Sequence, residues 1–207
     1  MSSYVYLGAH NLYDTETGRK IIYTTEFISH PHYDQDSIAN DVSLVRLPAG
    51  SVTSYTEFIR PACLPPRGYQ ELHELGNSSL SAVGWGKTNN GANISPVLNQ
   101  LAVTLISNEE CRKSYGEIIK ETNLCAQGKN GTGTCQGDSG SSLQQYSPEH
   151  KVWIQYGVVS FGASTGCGTG TVTIDNAMQD LSPGNKFIVV RLSQRLLESH
   201  ILLGLHH

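Results

Sequence analysis

The sequence has no long apolar run, no cluster of basic residues and no recognisable leader segment. No apolar run approaches the roughly 20 residues needed to cross a bilayer, and the initial stretch, MSSYVYLGAH, lacks the basic start and apolar core of a signal peptide. Lys and Arg are scattered and the net charge is −4 at pH 7, so an anionic partner is not favoured. We therefore expect neither a membrane protein nor a nucleic-acid-binding protein.

Helical periodicity is also scarce. One segment, SNEECRKSYG, offers Ser107 as an N-cap and Gly116 as a terminator, and a second, residues 187–205, could place its leucines on one face. Elsewhere the chain consists of short apolar or β-branched runs, most of them followed by Gly, Pro or Asn: YVYLGA, KIIYTTEFI, VSLVRL, SLSAVGW, LNQLAVTLI and VWIQYGVVSF. This pattern predicts an all-β sandwich or barrel and leaves room for a short C-terminal helix.

Five cysteines and three glycosylation sequons contrast with the missing leader. The sequons are at Asn77, Asn93 and Asn130. Disulfides and N-glycans are both acquired in the secretory route, so we expect a secreted, extracellular protein whose amino terminus is incomplete in this chain. The Pro- and Gly-rich segment between Pro65 and Leu80 is the expected connection between two halves.

The segment GTCQGDSGSSL contains a serine in the setting of a nucleophile. A serine hydroxyl attacks at neutral pH only with a base nearby. Gly137 and Gly140 allow the backbone to bend sharply around Ser139, and the N–H groups of Gly137 and Ser139 could converge on one point, as a tetrahedral oxyanion requires. Taken alone, GDSG is also compatible with a polar turn, so the choice depends on the rest of the chain.

Several ordered motifs between Tyr4 and about Cys167 resemble those of the chymotrypsin-like (S1) serine peptidases. They are YLGAHNL, NDVSLVRL, RPACLP, VGWGKT, CQGDSG and VVSFG. The resemblance implies a single peptidase domain with two six-stranded β-barrels, the first of them incomplete. It divides the chain into a partial first barrel at residues 1–66, a second barrel at 81–170 and an atypical tail at 171–207.

The same resemblance assigns catalytic roles. Ser139 is the nucleophile, Gly137 and Ser139 supply the oxyanion hole, and Asp41 orients the catalytic histidine. A turn cap after Asn40 is the alternative for Asp41. In the family the histidine precedes the aspartate by roughly 45 residues, so we expect that histidine to lie upstream of Met1.

The histidines present in the chain are not expected to replace the missing catalytic histidine. His30 and His32, in SHPHYD, resemble an ordinary loop, and His10, in LGAHNL, resembles a surface or packing residue.

Asp138 resembles the carboxylate that pairs with the amino terminus created by activation cleavage. Without that partner it would be an unpaired buried charge, which disfavours a formed oxyanion hole. We therefore expect the chain as given to be inactive.

The substrate pocket is implied in part by the resemblance. Gly133 stands where trypsin-like members have aspartate, so the pocket floor should lack a carboxylate, and Gly162 should leave the entrance open. Gln136 is expected to line the rim, with Ser160 and Phe161 on the substrate-binding strand. These residues favour apolar or aromatic substrate side chains at the position before the cleaved bond, called P1.

The resemblance also assigns the cysteines. It pairs Cys111 with Cys125 and Cys135 with Cys167, which would staple the two loops that frame the pocket. Cys63 matches a position that in many relatives ties the catalytic domain to an upstream segment. A buried free thiol is the alternative for Cys63.

Two functions from different classes remain. The first is a secreted serine endopeptidase that cleaves proteins or peptides through an acyl-enzyme, and the second is a non-catalytic homologue that serves as a binding or regulatory module. A pseudoprotease would usually have lost its nucleophile, whereas Ser139 and Asp41 are both present, which favours descent from an active enzyme. No metal or cofactor is expected in either case.

Overall fold

The computed structural model of the 207-residue chain describes residues 2–65, 80–162, 166–168, 171–175, 187–190 and 201–203. Within these residues the regular secondary structure is mainly β-strand, as the short apolar runs predict. No described helix is both long enough and apolar enough to span a membrane.

The second half forms a closed six-stranded barrel. Its strands follow the order β10-β7-β6-β5-β8-β9 around the barrel, and every neighbouring pair is antiparallel. The core contains Leu80, Leu143 and Ile174, each at most 1% exposed. The strands are β5 (Leu80–Gly84), β6 (Asn99–Ile106), β7 (Asn123–Gly128), β8 (Ser142–Ser147), β9 (Val152–Gly162) and β10 (Thr171–Asp175).

The first half forms two three-stranded sheets rather than a closed barrel among the described residues. Their orders are β12-β1-β2 and β11-β4-β3, and Val5, Ile22 and Val45 belong to their shared core. The strands are β1 (Ser3–Leu7), β2 (Lys20–Thr24), β3 (Phe27–Ser29), β4 (Ser43–Arg46), β11 (Phe187–Val190) and β12 (Ile201–Leu203).

The tail departs from its sequence prediction. β12 pairs in parallel with β1, and β11 pairs antiparallel with β4, so each covers one edge whose N–H and C=O groups would otherwise be open. The C-terminal helix predicted over 187–205 is therefore wrong at these two strands, while 191–200 lies outside the described residues. In addition, β10 belongs to the second barrel and not to a separate tail beginning at residue 171.

A third cluster of apolar side chains joins the two halves. Trp85, directly after β5, packs with Ala9, Val83 and Leu98. The indole Nε1 of Trp85 donates to the carbonyl oxygen of His10 at 3.0 Å, and the N–H of Leu98 donates to the same oxygen at 2.9 Å. These long-range contacts fix the first half against the second beside the Ser139 loop.

The helix predicted around SNEECRKSYG is confirmed as α1 (Asn108–Tyr115). The Oγ of Ser107 accepts from the N–H of Glu110 at 3.1 Å, which satisfies one of the unpaired donors of the first turn. Gly116 ends the helix with φ of +65°, a conformation that glycine adopts without steric cost.

Candidate active site

The Ser139 loop makes a tight turn that is pinned to strand β9. Gly137 and Gly140 have φ of +99° and +89°, which side chains with a Cβ rarely adopt. The N–H of Gly140 donates to the carbonyl of Val159 at 2.9 Å, and the N–H of Val159 donates back to Ser141 at 2.8 Å. These bonds hold Ser139 exposed at the surface of the barrel.

Asp41 is fully buried, with 0% of its surface exposed. Its Oδ2 accepts a hydrogen bond from the Oγ of Ser160, itself fully buried on β9, at 2.7 Å. Ser160 also lines the cavity beside Ser139. The structure thus brings Asp41 and Ser139, which are 98 residues apart in numbering (139 − 41), to the same part of β9.

A cavity of about 520 Å³ opens beside Ser139, and we call it the Ser139 cavity. Four predicted pocket residues line it: Gln136, Ser160, Phe161 and Gly162. Gly133 is not among its lining residues and instead borders a smaller neighbouring cavity of about 190 Å³ together with Asp138.

The loop after Trp85 contributes residues to the Ser139 cavity that the sequence interpretation missed. Lys87 and Asn90 line the cavity, and Asn90 Oδ1 accepts from the N–H of Cys167 at 2.6 Å. A loop asparagine gives no sequence signal for such a contact, because its partner is 77 residues away. Among the described lining residues there is no histidine and no carboxylate.

Asp138 lies against the backbone of β5 and the residues that follow it. Its two carboxylate oxygens accept from the N–H of Gly86 at 2.8 Å and of Cys135 at 2.9 Å. Burial raises the pKa of Asp138, and the two backbone hydrogen bonds only partly offset that rise. Within the described part of the chain, Asp138 contacts amide groups but no cation.

The raised pKa of Asp138 predicts a specific pH dependence of stability. Its ordinary value is 3.8, so its contribution to the free energy of unfolding is fully present below that pH and is lost as pH rises through the raised folded pKa. We expect the wild-type advantage over Asp138→Ala in urea unfolding to shrink as the pH rises above the ordinary pKa of 3.8.

Asp34→Ala is the control of opposite sign. The Ser37 hydroxyl, followed by backbone N–H groups, lowers the pKa of the exposed Asp34. Its small contribution to stability is therefore present above the ordinary value and lost as pH falls. A wild-type advantage over Asp138→Ala that grew with pH would mean that the Asp138 carboxylate has a cationic partner in the folded chain.

The two predicted disulfides are confirmed. Cys111–Cys125 and Cys135–Cys167 join Cα atoms 6.2 Å and 5.0 Å apart, and the second borders the Ser139 cavity. Cys63 is free and exposed. The alternative that Cys63 is a buried thiol is therefore wrong, and the prediction that it has no partner within this chain is confirmed.

The closed second barrel, the Ser139 loop and the buried Asp41 define a chymotrypsin-like serine protease fold. A family model described as Trypsin matches residues 1–182, and the chain belongs to the trypsin family. The match extends beyond Cys167, where the sequence resemblance was expected to stop, and β10 lies within this additional part.

Several serine proteases are similar in sequence to most of this chain. Brachyurin of Leptuca pugilator is 35% identical over 168 residues, which are 80% of this chain and 68% of brachyurin. The CLIP domain-containing serine protease HP8 of Bombyx mori is 33% identical over 70% of this chain and 39% of its own length. Phenoloxidase-activating factor 1 of Holotrichia diomphalia is 36% identical over 70% of this chain and 38% of its own.

The chain thus spans about two thirds of brachyurin but less than two fifths of the other two relatives. Among solved structures, a chain described as "Structure of GrC" superimposes with a TM-score of 0.69 over 84% of this chain and 73% of its own. Its sequence identity is 23%, so this likeness concerns the fold alone.

Proposed function

We propose that this chain is the peptidase domain of a serine endopeptidase in which Ser139 is the nucleophile and Asp41 orients the general-base histidine. The observation that carries this assignment is the position of Ser160, which donates to the buried Asp41 and lines the cavity beside Ser139. A buried carboxylate at this place matches the family arrangement, in which the aspartate holds the imidazole and stabilises its charged form. A turn cap would not require full burial.

In the proposed reaction the Oγ of Ser139 attacks a peptide carbonyl while the histidine takes its proton. The N–H groups of Gly137 and Ser139 stabilise the oxyanion. The proton then passes to the leaving amine, the peptide bond breaks, and water hydrolyses the Ser139 ester. The positive φ of Gly137 and Gly140 supports these roles because it turns the backbone sharply on both sides of Ser139.

We infer that apolar or aromatic P1 side chains are preferred. The described lining of the Ser139 cavity has no carboxylate to pair with Lys or Arg, and the positive charge of Lys87 opposes them. Phe161 lines the cavity and packs edge-to-face on Tyr115 with ring centroids 5.7 Å apart, which supplies a fixed aromatic surface. Gly133, where trypsin-like members have aspartate, likewise adds no carboxylate to this region.

We further propose that the 207-residue chain itself is inactive. No histidine occurs in the described lining of the Ser139 cavity, and Asp138 is held by two backbone amides instead of a cation. A half-buried carboxylate with a raised pKa is poorly stabilised in its charged form, so the loop that carries the oxyanion donors is not held as an activated loop would be.

The second candidate is a non-catalytic homologue that binds other proteins. The absence of histidine from the described lining of the Ser139 cavity favours it. The retained Ser139, Asp41 and oxyanion glycine favour the endopeptidase. A partner segment joined through the exposed Cys63 is compatible with both.

A secreted, extracellular location is proposed on chemical grounds. Two disulfides require an oxidising compartment, and the sequon residues Asn93 and Asn130 are exposed and accessible to glycosylation. We expect the protein produced through a secretory route to carry a glycan on at least one of them. An endoglycosidase-sensitive mass that decreases in the Asn93→Gln/Asn130→Gln double variant would establish this, and an unchanged mass in that variant would contradict it.

The P1 assignment is tested on a version extended upstream with the family's histidine segment and a cleavable activation site. After activation, we expect a peptide library to be cleaved after Phe, Tyr or Leu at least about tenfold faster than after Lys or Arg, because a desolvated cation without a counter-charge is costly. Thr134→Asp, which adds a carboxylate to the cavity lining, should shift the ratio toward Lys and Arg. Equal cleavage after basic and apolar residues would contradict the assignment.

A further inference from the structure

A short hairpin follows Trp85 and returns beside the loop of the proposed nucleophile. The N–H of Ser95 donates to the carbonyl of Trp85 at 2.8 Å, and Lys87 forms an antiparallel bridge with Ile94. The N–H of Lys87 also donates to the carbonyl of Gln136 at 2.9 Å. Backbone hydrogen bonds therefore fix Lys87 and Ile94 relative to the nucleophile loop.

The side chain of Ile94 lies against Gly137, one of the two proposed oxyanion donors. A Cβ at Gly137 would come within 3.1 Å of Ile94 Cγ2. Ile94 is 41% exposed, and it is not among the lining residues of the Ser139 cavity. Ile94 thus presents apolar surface to solvent next to Gly137, outside the cavity assigned to the P1 side chain.

Lys87 adds a positive charge to the same face of the hairpin. Residues directly opposite each other in an antiparallel pair have their side chains on one face, with Cβ atoms about 4.5 to 5.5 Å apart, so Lys87 shares the face on which Ile94 meets Gly137. Lys87 is half-buried and lines the Ser139 cavity. It forms no ion pair with any residue that the structure describes. An apolar side chain and an ammonium group without a described counter-charge therefore lie together beside the oxyanion donors.

We propose that Ile94 and Lys87 form a subsite that selects glutamate at one of the first two residues after the cleaved bond, called P1′ and P2′. This inference rests on the proposed peptidase function. The attacked carbonyl must point at the N–H groups of Gly137 and Ser139, so with the P1 side chain in the Ser139 cavity the residues that follow the cleaved bond pass Gly137.

Glutamate fits this subsite because its two parts match the two side chains. Its methylene groups pack on Ile94, and its carboxylate pairs with the ammonium group of Lys87. Aspartate is one methylene shorter and covers less of Ile94, while lysine and arginine are repelled by Lys87. The substrate class is therefore a protein segment in which an apolar P1 residue is closely followed by glutamate.

Peptide cleavage by the activated, upstream-extended version tests the subsite. The peptides have Phe at P1 and differ only in Glu, Gln or Ala at P1′ or at P2′. At low ionic strength, kcat/KM for the better Glu peptide should exceed that of its Gln counterpart about threefold, as expected for a partly exposed ion pair. About 1 M salt should reduce this ratio to near unity, because salt screens the pair.

Variants separate the charge from the apolar contact. Lys87→Gln should remove the preference for Glu over Gln, and Lys87→Glu should reverse it. Ile94→Ala should lower cleavage of the Glu and Gln peptides alike, about threefold relative to the Ala peptide, because packing of the methylene groups is lost. Lys151→Gln makes the same change of charge in the exposed turn between β8 and β9. It is the matched control and should keep the wild-type preference.

Peptide binding to the 207-residue chain carrying Ser139→Ala separates the subsite from the peptidase function, because it requires no bond cleavage. Fluorescence polarisation should show the same preference for the labelled Glu peptide, about threefold, and none after the further change Lys87→Gln. A Glu preference in binding, with no Ser139-dependent cleavage by the extended version, would support the subsite and contradict the peptidase function. Equal binding of the Glu and Gln peptides, or a Glu preference that survives Lys87→Gln, would overturn the subsite alone.

Discussion

The purified 207-residue chain is expected to hydrolyse neither aromatic nor basic peptide substrates at a detectable rate. The described lining of the Ser139 cavity contains no histidine, and when the general base is missing only the roughly 10³ to 10⁴-fold acceleration from the oxyanion hole and substrate binding remains. That remainder requires a formed oxyanion hole, whereas Asp138 is held by the amides of Gly86 and Cys135 and has no cationic partner within the described chain. Reaction with serine-directed phosphonylating probes should be correspondingly slow.

The control for this experiment is the activated, upstream-extended version, which is assayed in parallel with the 207-residue chain. The extended version should gain activity that Ser139→Ala abolishes, while the short chain and its Ser139→Ala variant should be indistinguishable. Robust turnover by the short chain that depended on Ser139 would mean that it contains a base. His30 and His32, which lie in ring contact with centroids 5.9 Å apart, would then be the first residues to replace.

Gly86→Ala is expected to unfold the Ser139 loop and to destabilise the protein by about 3 kcal/mol or more. A Cβ at Gly86 would overlap the carboxyl group of Asp138. The side chain must then leave its place, which breaks both of its hydrogen bonds to backbone N–H groups. Overpacking costs about 1 to 3 kcal/mol, and each lost hydrogen bond to a charged group about 1.5 to 3 kcal/mol.

Urea unfolding of two further variants tests whether displacement of the Asp138 side chain causes this loss of stability. Gly91→Ala is the matched control, because Gly91 also lines the Ser139 cavity and has no atom within 4 Å of the added Cβ. It should change stability by less than about 0.5 kcal/mol. In an Asp138→Ala background the Gly86→Ala substitution should cost much less than in wild type. Equal costs in the two backgrounds would show that Asp138 is not the group displaced.

Much of the fold follows from local sequence. The short apolar runs correctly predict strands in the described chain, and Ser107 and Gly116 correctly delimit α1 because capping chemistry is contained in adjacent residues. The disulfide pairs are correct because the family resemblance supplies them. Spacing alone could not have chosen among the pairings that five cysteines allow.

The errors concern contacts between distant residues. The apolar run near the C-terminus was interpreted as a helix, but a short apolar run does not distinguish helix from strand, and here β11 and β12 are defined by pairing with β4 and β1. The edges of those early strands, more than 140 residues away, decide the outcome. Nothing in the tail itself could have indicated it.

In the candidate site, too, motifs assign individual residues but do not predict the contacts between distant ones. Motifs assign Ser139 and Asp41 as candidates, whereas the hydrogen bond that brings Asp41 to β9 joins it to Ser160, 119 residues away. The family resemblance assigned Gly133 to the pocket, and Gly133 borders the neighbouring cavity.

The most direct measurement of the central claim is active-site labelling of the activated, upstream-extended version with a fluorophosphonate, followed by peptide mapping. If Ser139 is the nucleophile, the label is found on the peptide that contains Ser139, labelling is lost in Ser139→Ala, and Asp41→Ala slows it by about 10³-fold or more while the protein remains folded. Labelling at another residue, or labelling of Ser139 at the same rate in Asp41→Ala, would contradict the assignment of Ser139 and Asp41 as one catalytic unit.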